Sequence, residues 1–115
     1  MDVEKAQATV DAIEAKGGTA RAYGCDVLDE GALTEIASAI EQEWGVPDFL
    51  INGAGGNHPR GTTTNEFFDL ADVDAPDVTS FFDLDYNGFQ FVFSLNFLGT
   101  FLPIKVFARA RPRLW

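Results

Sequence analysis

The chain has 115 residues, 46% hydrophobic and 13% aromatic, which is apolar material for one domain's core and for no more than one domain. Eighteen acidic against eight basic residues leave a net charge of −10, which disfavours nucleic acid and anionic membranes as partners because phosphate surfaces reward positive patches. The single cysteine, Cys25, has no partner for an intramolecular disulfide, in keeping with a reducing cytoplasm, and the opening Met1, Asp2, Val3, Glu4 and Lys5 show no charged-then-apolar leader.

In chain order, Val3, Ala6, Val10 and Ile13 recur at three- and four-residue steps and predict an amphipathic helix over 3–16, with Gly17 and Gly18 as its left-handed exit. Residues 19–25 alternate small or aromatic with polar side chains and stop at Asp26, the pattern of a strand. Asp29 is an N-cap for a second helix whose stripe is Leu33, Ile36, Ala37, Ile40 and Trp44, closed by Gly45 and Pro47. Phe49, Leu50 and Ile51 form an apolar run too short for a helix, bounded by Pro47, Asp48 and the glycines of 53–56, as expected for a strand buried on both faces. Alternating helices and strands imply right-handed crossovers, a parallel sheet and an α/β fold.

Residues 57–87 carry seven acids and one base, Arg60, with Thr62, Thr63, Thr64, Pro76 and two phenylalanine pairs. Such a long segment inside a compact domain is either functional or disordered. Asp72, Val73 and Asp74 suggest the start of a calcium loop, but the sixth-position glycine and the closing glutamate are missing, so no metal site is expected. A third helix, apolar on most of its circumference, is predicted over 88–110, with Pro103 bending it. Gln90, Ser94, Asn96, Thr100 and Lys105 interrupt it, so it reads as a buried helix and not as a membrane span.

In an open parallel sheet, ligands bind beyond the carboxyl ends of the strands, which singles out the turns at Asp26 and at 52–56. Asp26 either caps nearby amides or accepts from a ligand amine. Asn52 either ties neighbouring backbones together or faces that ligand. Gly53, Gly55 and Gly56 are a turn, or a place where a flat ligand meets backbone without side chains in the way. Asn96, in mid-helix, needs a partner, because an unpaired amide there costs roughly 1–3 kcal/mol. It is satisfied by a neighbouring carbonyl, or it positions a water or a backbone carbonyl. His58 lies on the surface, or lines a pocket or donates protons, and Arg60 is a solvated base or a fork for a substrate carboxylate.

Taken together, Asp26, then Asn52 at a spacing of 26 residues with Ala54 and Gly55, then Asn96, resemble the short-chain dehydrogenase/reductase family over residues 3–108. The resemblance implies a partial Rossmann-like, doubly wound parallel sheet, a three-layer α/β/α fragment lacking the first and last strands, with 57–87 as an insertion and 109–115 as an atypical tail. Asp26 and Val27 match the family's adenine-holding Asp-Val. Asn52, Gly53, Ala54 and Gly55 match its Asn-Asn-Ala-Gly element, with Gly53 replacing the second Asn. Asn96, within Leu95, Asn96, Phe97, Leu98 and Gly99, matches the helix asparagine that supports the catalytic proton relay. A narrower resemblance, carried by residues 51–59 and by Phe81, Phe82, Asp83, Leu84 and Asp85, is to the D-mannonate oxidoreductase and fructuronate reductase-like branch. It implies a sugar acid as substrate, with His58 and Arg60 as its contacts.

The family's Gly-x-x-x-Gly-x-Gly loop is not among these residues, nor is its Tyr-x-x-x-Lys, since Tyr23 and Tyr86 are followed four positions on by Val27 and Gln90. The expectation is therefore an internal, truncated piece of a cytoplasmic NAD- or NADP-dependent oxidoreductase, oligomeric in its parent and inactive alone. The alternatives are a non-catalytic α/β piece that self-associates through the third helix, or a small nucleotide-binding protein.

Overall fold

The computed structural model describes residues 3–109. Helix formation follows the caps and the apolar spacing. Helix α1 covers Val3–Glu14, turns Val10 inward, and closes where the Gly18 N–H donates to the Ile13 carbonyl at 3.1 Å, with Gly17 at φ 81°. Helix α2 covers Glu30–Trp44. Asp29 stands extended ahead of it and its Oδ1 accepts from the Ala32 N–H at 3.0 Å, a cap worth about 1 kcal/mol. At the other end, Gly45 returns an N–H to Glu41 at 3.1 Å. Of the expected stripe, Leu33 and Ala37 are buried, Ile36 and Ile40 are half-buried, and Trp44 is half exposed.

Residues 19–25 and 49–51 differ from expectation. Among the described residues neither forms a strand. Phe49 and Ile51 are 89% and 91% exposed instead of buried on both faces. The cause is that a strand is not a local structure: its ladder bonds and its two covered faces come from neighbouring strands. The first segment is fastened instead by side chains. The Arg21 guanidinium pairs with the Glu43 carboxylate, and the Tyr23 hydroxyl donates to Glu43 Oε2 at 3.1 Å.

The acidic, aromatic segment is ordered as a lobe of short 3-10 turns, Pro59–Gly61, Leu70–Asp72 and Phe81–Asp83. Thr64 and Thr79 cross it with two bonds of 2.9 Å, and the Asn65 amide donates to Asp72 Oδ2 at 2.8 Å. Its neck is a backbone crossing: the Asp85 N–H donates to the Arg60 carbonyl at 2.9 Å, and Gly61 lies against Gly88. The buried Ser80 donates its hydroxyl to Asp83 Oδ2 at 2.6 Å, and its N–H donates to the same oxygen at 2.9 Å. The Ser80 hydroxyl first, and its N–H second, hold the Asp83 carboxyl below the usual aspartate range. A depressed folded value means that this box is intact above the ordinary aspartate value of about 3.9 and opens as pH falls through the lower folded one. Proton NMR of the Phe81 and Phe82 rings should therefore be flat from neutral pH to about pH 4 and move only below it; movement at higher pH would contradict the box.

The expected single helix over 88–110 starts earlier and is broken elsewhere. Asp85 caps it, its Oδ1 accepting from the Gly88 N–H at 2.8 Å, so α3 runs Tyr86–Phe93. A π-turn at Ser94–Leu98 follows, and α4 runs Gly99–Arg109 with Pro103 buried inside it. The break lies at Asn96, not at Pro103, because the Asn96 Nδ2 donates to the Val92 carbonyl four residues back at 2.8 Å and so enters the helix's own ladder. The expected terminus at 110, and the tail beyond it, lie outside the described residues.

This helix is also not buried. Phe89, Phe93, Phe97 and Phe101 are all at least half exposed. By length and composition alone Tyr86–Arg109 could cross a membrane, a test that the core helix of a soluble protein also passes. The chain's radius of gyration is 19.3 Å. A compact chain of this length has about 13 Å. The described elements therefore present apolar faces with no layer among them to cover those faces.

Candidate functional site

Both strand-end turns rest on one stretch of helix. In the first, Asp26 Oδ1 accepts from the Leu28 N–H at 2.9 Å and the Asp26 carbonyl accepts from the Asp29 N–H at 3.0 Å. Asp26 thus shapes its own turn and leads into the cap of α2. Val27 packs on the backbone of the buried Gly99, where an added Cβ would lie 2.9 Å from Val27 Cγ2.

The second turn is held by Asn96. Its Oδ1 accepts from the Gly56 N–H at 3.1 Å and its Nδ2 donates to the Gly56 carbonyl at 2.8 Å. The carboxamide thus meets both polar groups of Gly56, as a paired strand residue would. The approach leaves no room beside it: a Cβ on Gly55 would come within 2.6 Å of Asn96 Oδ1. Asn52, Gly53 and Ala54 are exposed, and a Cβ on Gly53 would meet nothing within 4 Å. The result is an open backbone surface, anchored from behind by Asn96. The π-turn that carries Asn96 is a rare geometry, frequent at functional sites.

His58 and Arg60 belong to the neck of the lobe. The His58 Nδ1 accepts from the Arg60 N–H at 3.2 Å, which places the neutral ring's proton on Nε2, and the ring lies 5.3 Å from that of Phe91. The Arg60 guanidinium lies 3.5 Å from Asp85 Oδ1, with the Arg60 side chain largely exposed and Asp85 half-buried. Arg60 is therefore engaged by an acid of its own chain. Burial, and then the charge of Asp26, push the Cys25 thiol up, which keeps it protonated and a poor nucleophile.

Val27 is thus seated on Gly99, with Asp26 before it in the chain, and Gly55 and Gly56 are seated on Asn96, with Asn52, Gly53 and Ala54 before them, while His58 and Arg60 belong to the neck of the lobe. Sequence reasoning missed Gly61, Asp85, Gly88 and Gly99. A signal was present, since a glycine inside an apolar helix costs about 1 kcal/mol against alanine and marks a close approach.

A family model described as enoyl-(acyl carrier protein) reductase matches residues 1–113. The chain belongs to the short-chain dehydrogenase/reductase family. An uncharacterised oxidoreductase of Haemophilus influenzae is 45% identical over 95% of this chain and 38% of its own length. The uncharacterised oxidoreductase UxuB of Bacillus subtilis is 47% identical over 92% of this chain and 37% of its own. A crystal structure from Haemophilus influenzae, provisionally described as a D-mannonate oxidoreductase with bound NAD, superposes with a TM-score of 0.84 at 44% identity, over 94% of this chain and 38% of that one. The chain thus spans well under half the length of these relatives. As a short-chain dehydrogenase/reductase it has an α/β, Rossmann-like fold.

Proposed function

We propose that this chain forms the adenine-side half of the dinucleotide site of an NAD-dependent short-chain oxidoreductase. The observation that carries the reading is the fastening of both strand-end turns to residues 96–99, by the Asn96 bonds to Gly56 and by Val27 on Gly99. A relative of the same fold is described with bound NAD. The residues fit an adenine nucleotide: Gly53 opens onto free space, and Asp26 uses Oδ1 in its own turn and has a second carboxylate oxygen for an amine. When bound, a nicotinamide cofactor supplies hydride transfer.

In this reading residues 19–25 and 49–51 become strands of a doubly wound parallel sheet once neighbouring strands lie beside them. The three-layer arrangement, with 57–87 as its insertion, follows. Asn96 holds the glycine turn in place and stands at the start of the proton relay. The substrate is a sugar acid of the mannonate or fructuronate type, as the description of the structural relative suggests. His58 offers its Nε2 proton to it. The Arg60 fork would first have to leave Asp85. A cytoplasmic location fits the lone Cys25.

Isothermal calorimetry with NAD, NADP and AMP tests this reading. Heat with AMP and NAD is expected, because the adenine end carries the contacts; no heat with any of the three would end the proposal. The chain by itself is expected to show no NAD(P)H turnover, since the tyrosine, lysine and serine of the family's relay are not among its matched motifs. A second reading, self-association through the exposed phenylalanines of α3 and α4, is favoured by their exposure and by the stacked Phe93 and Phe97 rings at 5.4 Å. A monodisperse oligomer on size exclusion would support it.

A further inference from the structure

We propose that Gly99 is a positioning residue for the adenine end of the cofactor site, an inference that rests on the dinucleotide reading above. Gly99 is buried at the start of α4, and the space where its Cβ would stand is taken by the Val27 side chain, Cγ2 at 2.9 Å and Cβ at 3.9 Å, with Leu95 Cδ1 at 3.8 Å. Val27 itself is not free to swing away with its backbone. The Asp26 carboxylate closes the turn around it through the Leu28 N–H, and Asp29 then begins the cap of α2. Asn96, which holds Gly56, lies three residues before Gly99. Both residues thus belong to the same short stretch of helix, Asn96 inside the π-turn and Gly99 at its end. The missing side chain at 99 therefore sets how closely the Asp26 turn approaches the Gly55 and Gly56 turn, and so the width of the surface that receives the adenine ring. Gly99 touches no cofactor atom in this role; it acts through Val27.

Two effects of a substitution here have opposite signs. Alanine is the better helix former, so a residue that served only the helix would be improved by Gly99→Ala. A residue that sets the turn spacing would be harmed, because the new methyl displaces Val27. The test is a double-mutant cycle in this chain, with Gly99→Ala, Val27→Ala and the pair, read by calorimetry with NAD and by the rate at which a disulfide reagent modifies Cys25, the thiol two residues before Val27. Gly99→Ala is expected to weaken NAD roughly five- to tenfold with helical circular dichroism retained. In the Val27→Ala background the same change is expected to cost less than about twofold. It is likewise expected to alter the Cys25 modification rate only when Val27 is present. Unchanged NAD affinity in Gly99→Ala, or an equal loss in both backgrounds, would overturn the proposal. Should the unmodified chain bind no NAD, the dinucleotide reading fails on its own, and the thiol rates decide the coupling: a Val27-dependent change upholds the link between turn and helix, and identical rates end it.

Discussion

Replacing Gly88 by alanine is expected to break the neck of the lobe. The Cβ would lie 2.7 Å from the Arg60 carbonyl carbon, 2.8 Å from Arg60 Cβ and 2.9 Å from the Arg60 oxygen. Backbone atoms cannot rotate aside as a side chain can, so α3 and the Pro59–Gly61 turn must part. Alanine gains about 1 kcal/mol of helix propensity, while overpacking against main chain costs typically 1–3 kcal/mol. The clash acts on the Asp85 to Arg60 bond and on Gly61, whose own Cβ position is 2.9 Å from the Gly88 oxygen, so it should win by up to about 2 kcal/mol. Hydrogen exchange resolves this locally: the Asp85 and Thr64 amides should lose protection while those of α2 do not. A variant whose lobe amides exchange as in the parent would refute the neck.

Removing the Asn96 carboxamide is the second change of large expected effect. Asn96→Ala deletes the two bonds to Gly56 and the bond to Val92. Because Gly56 is exposed, water takes over its polar groups, and the cost falls on the order of the turn more than on global stability. A net loss of about 1–2 kcal/mol is expected. Two readouts should move in opposite directions. The amides of 53–56 should become mobile on the nanosecond scale by NMR relaxation, while the π-turn, relieved of the side chain in its ladder, should rewind towards regular helix. NAD heat should fall with the first. Asn96→Asp is expected to be no better, since it keeps an acceptor for the Gly56 N–H but sets a carboxylate against the Gly56 and Val92 carbonyls. A turn that stays ordered in Asn96→Ala would show that something other than this amide holds it.

Much of this was legible in the residues themselves. Asp29 as a cap, Gly17 and Gly45 as exits and the Leu33 and Ala37 stripe are local features, and the helices start and stop close to where those features put them. The need of Asn96 for a partner followed from its polarity alone, and both kinds of partner considered, a nearby carbonyl and a backbone carbonyl to position, are present. What was not legible depends on residues distant in the chain. The apolar alternation of 19–25 and 49–51 is a strand's pattern, yet pairing is supplied by other strands, so neither segment forms a strand and 49–51 stays exposed. Arg60 looked like a free fork because its acid, Asp85, is 25 positions away in the sequence. The π-turn was missed because its cause, a side chain competing for Val92, differs from the proline and glycine breaks that composition reveals.

The seating of the two turns on residues 96–99 also makes the site a torsion gauge. A rigid shift of the helix would carry Gly56 and Val27 along together and leave their separation unchanged. A twist would not. One residue of helix is about 100° of rotation, so absorbing the extra residue of the π-turn into regular helix would swing Gly99 around the axis relative to the residues before the bulge, away from the side on which Val27 now sits. The winding state of these five residues, Ser94–Leu98, is thus the mechanical variable to which the spacing of the two turns answers.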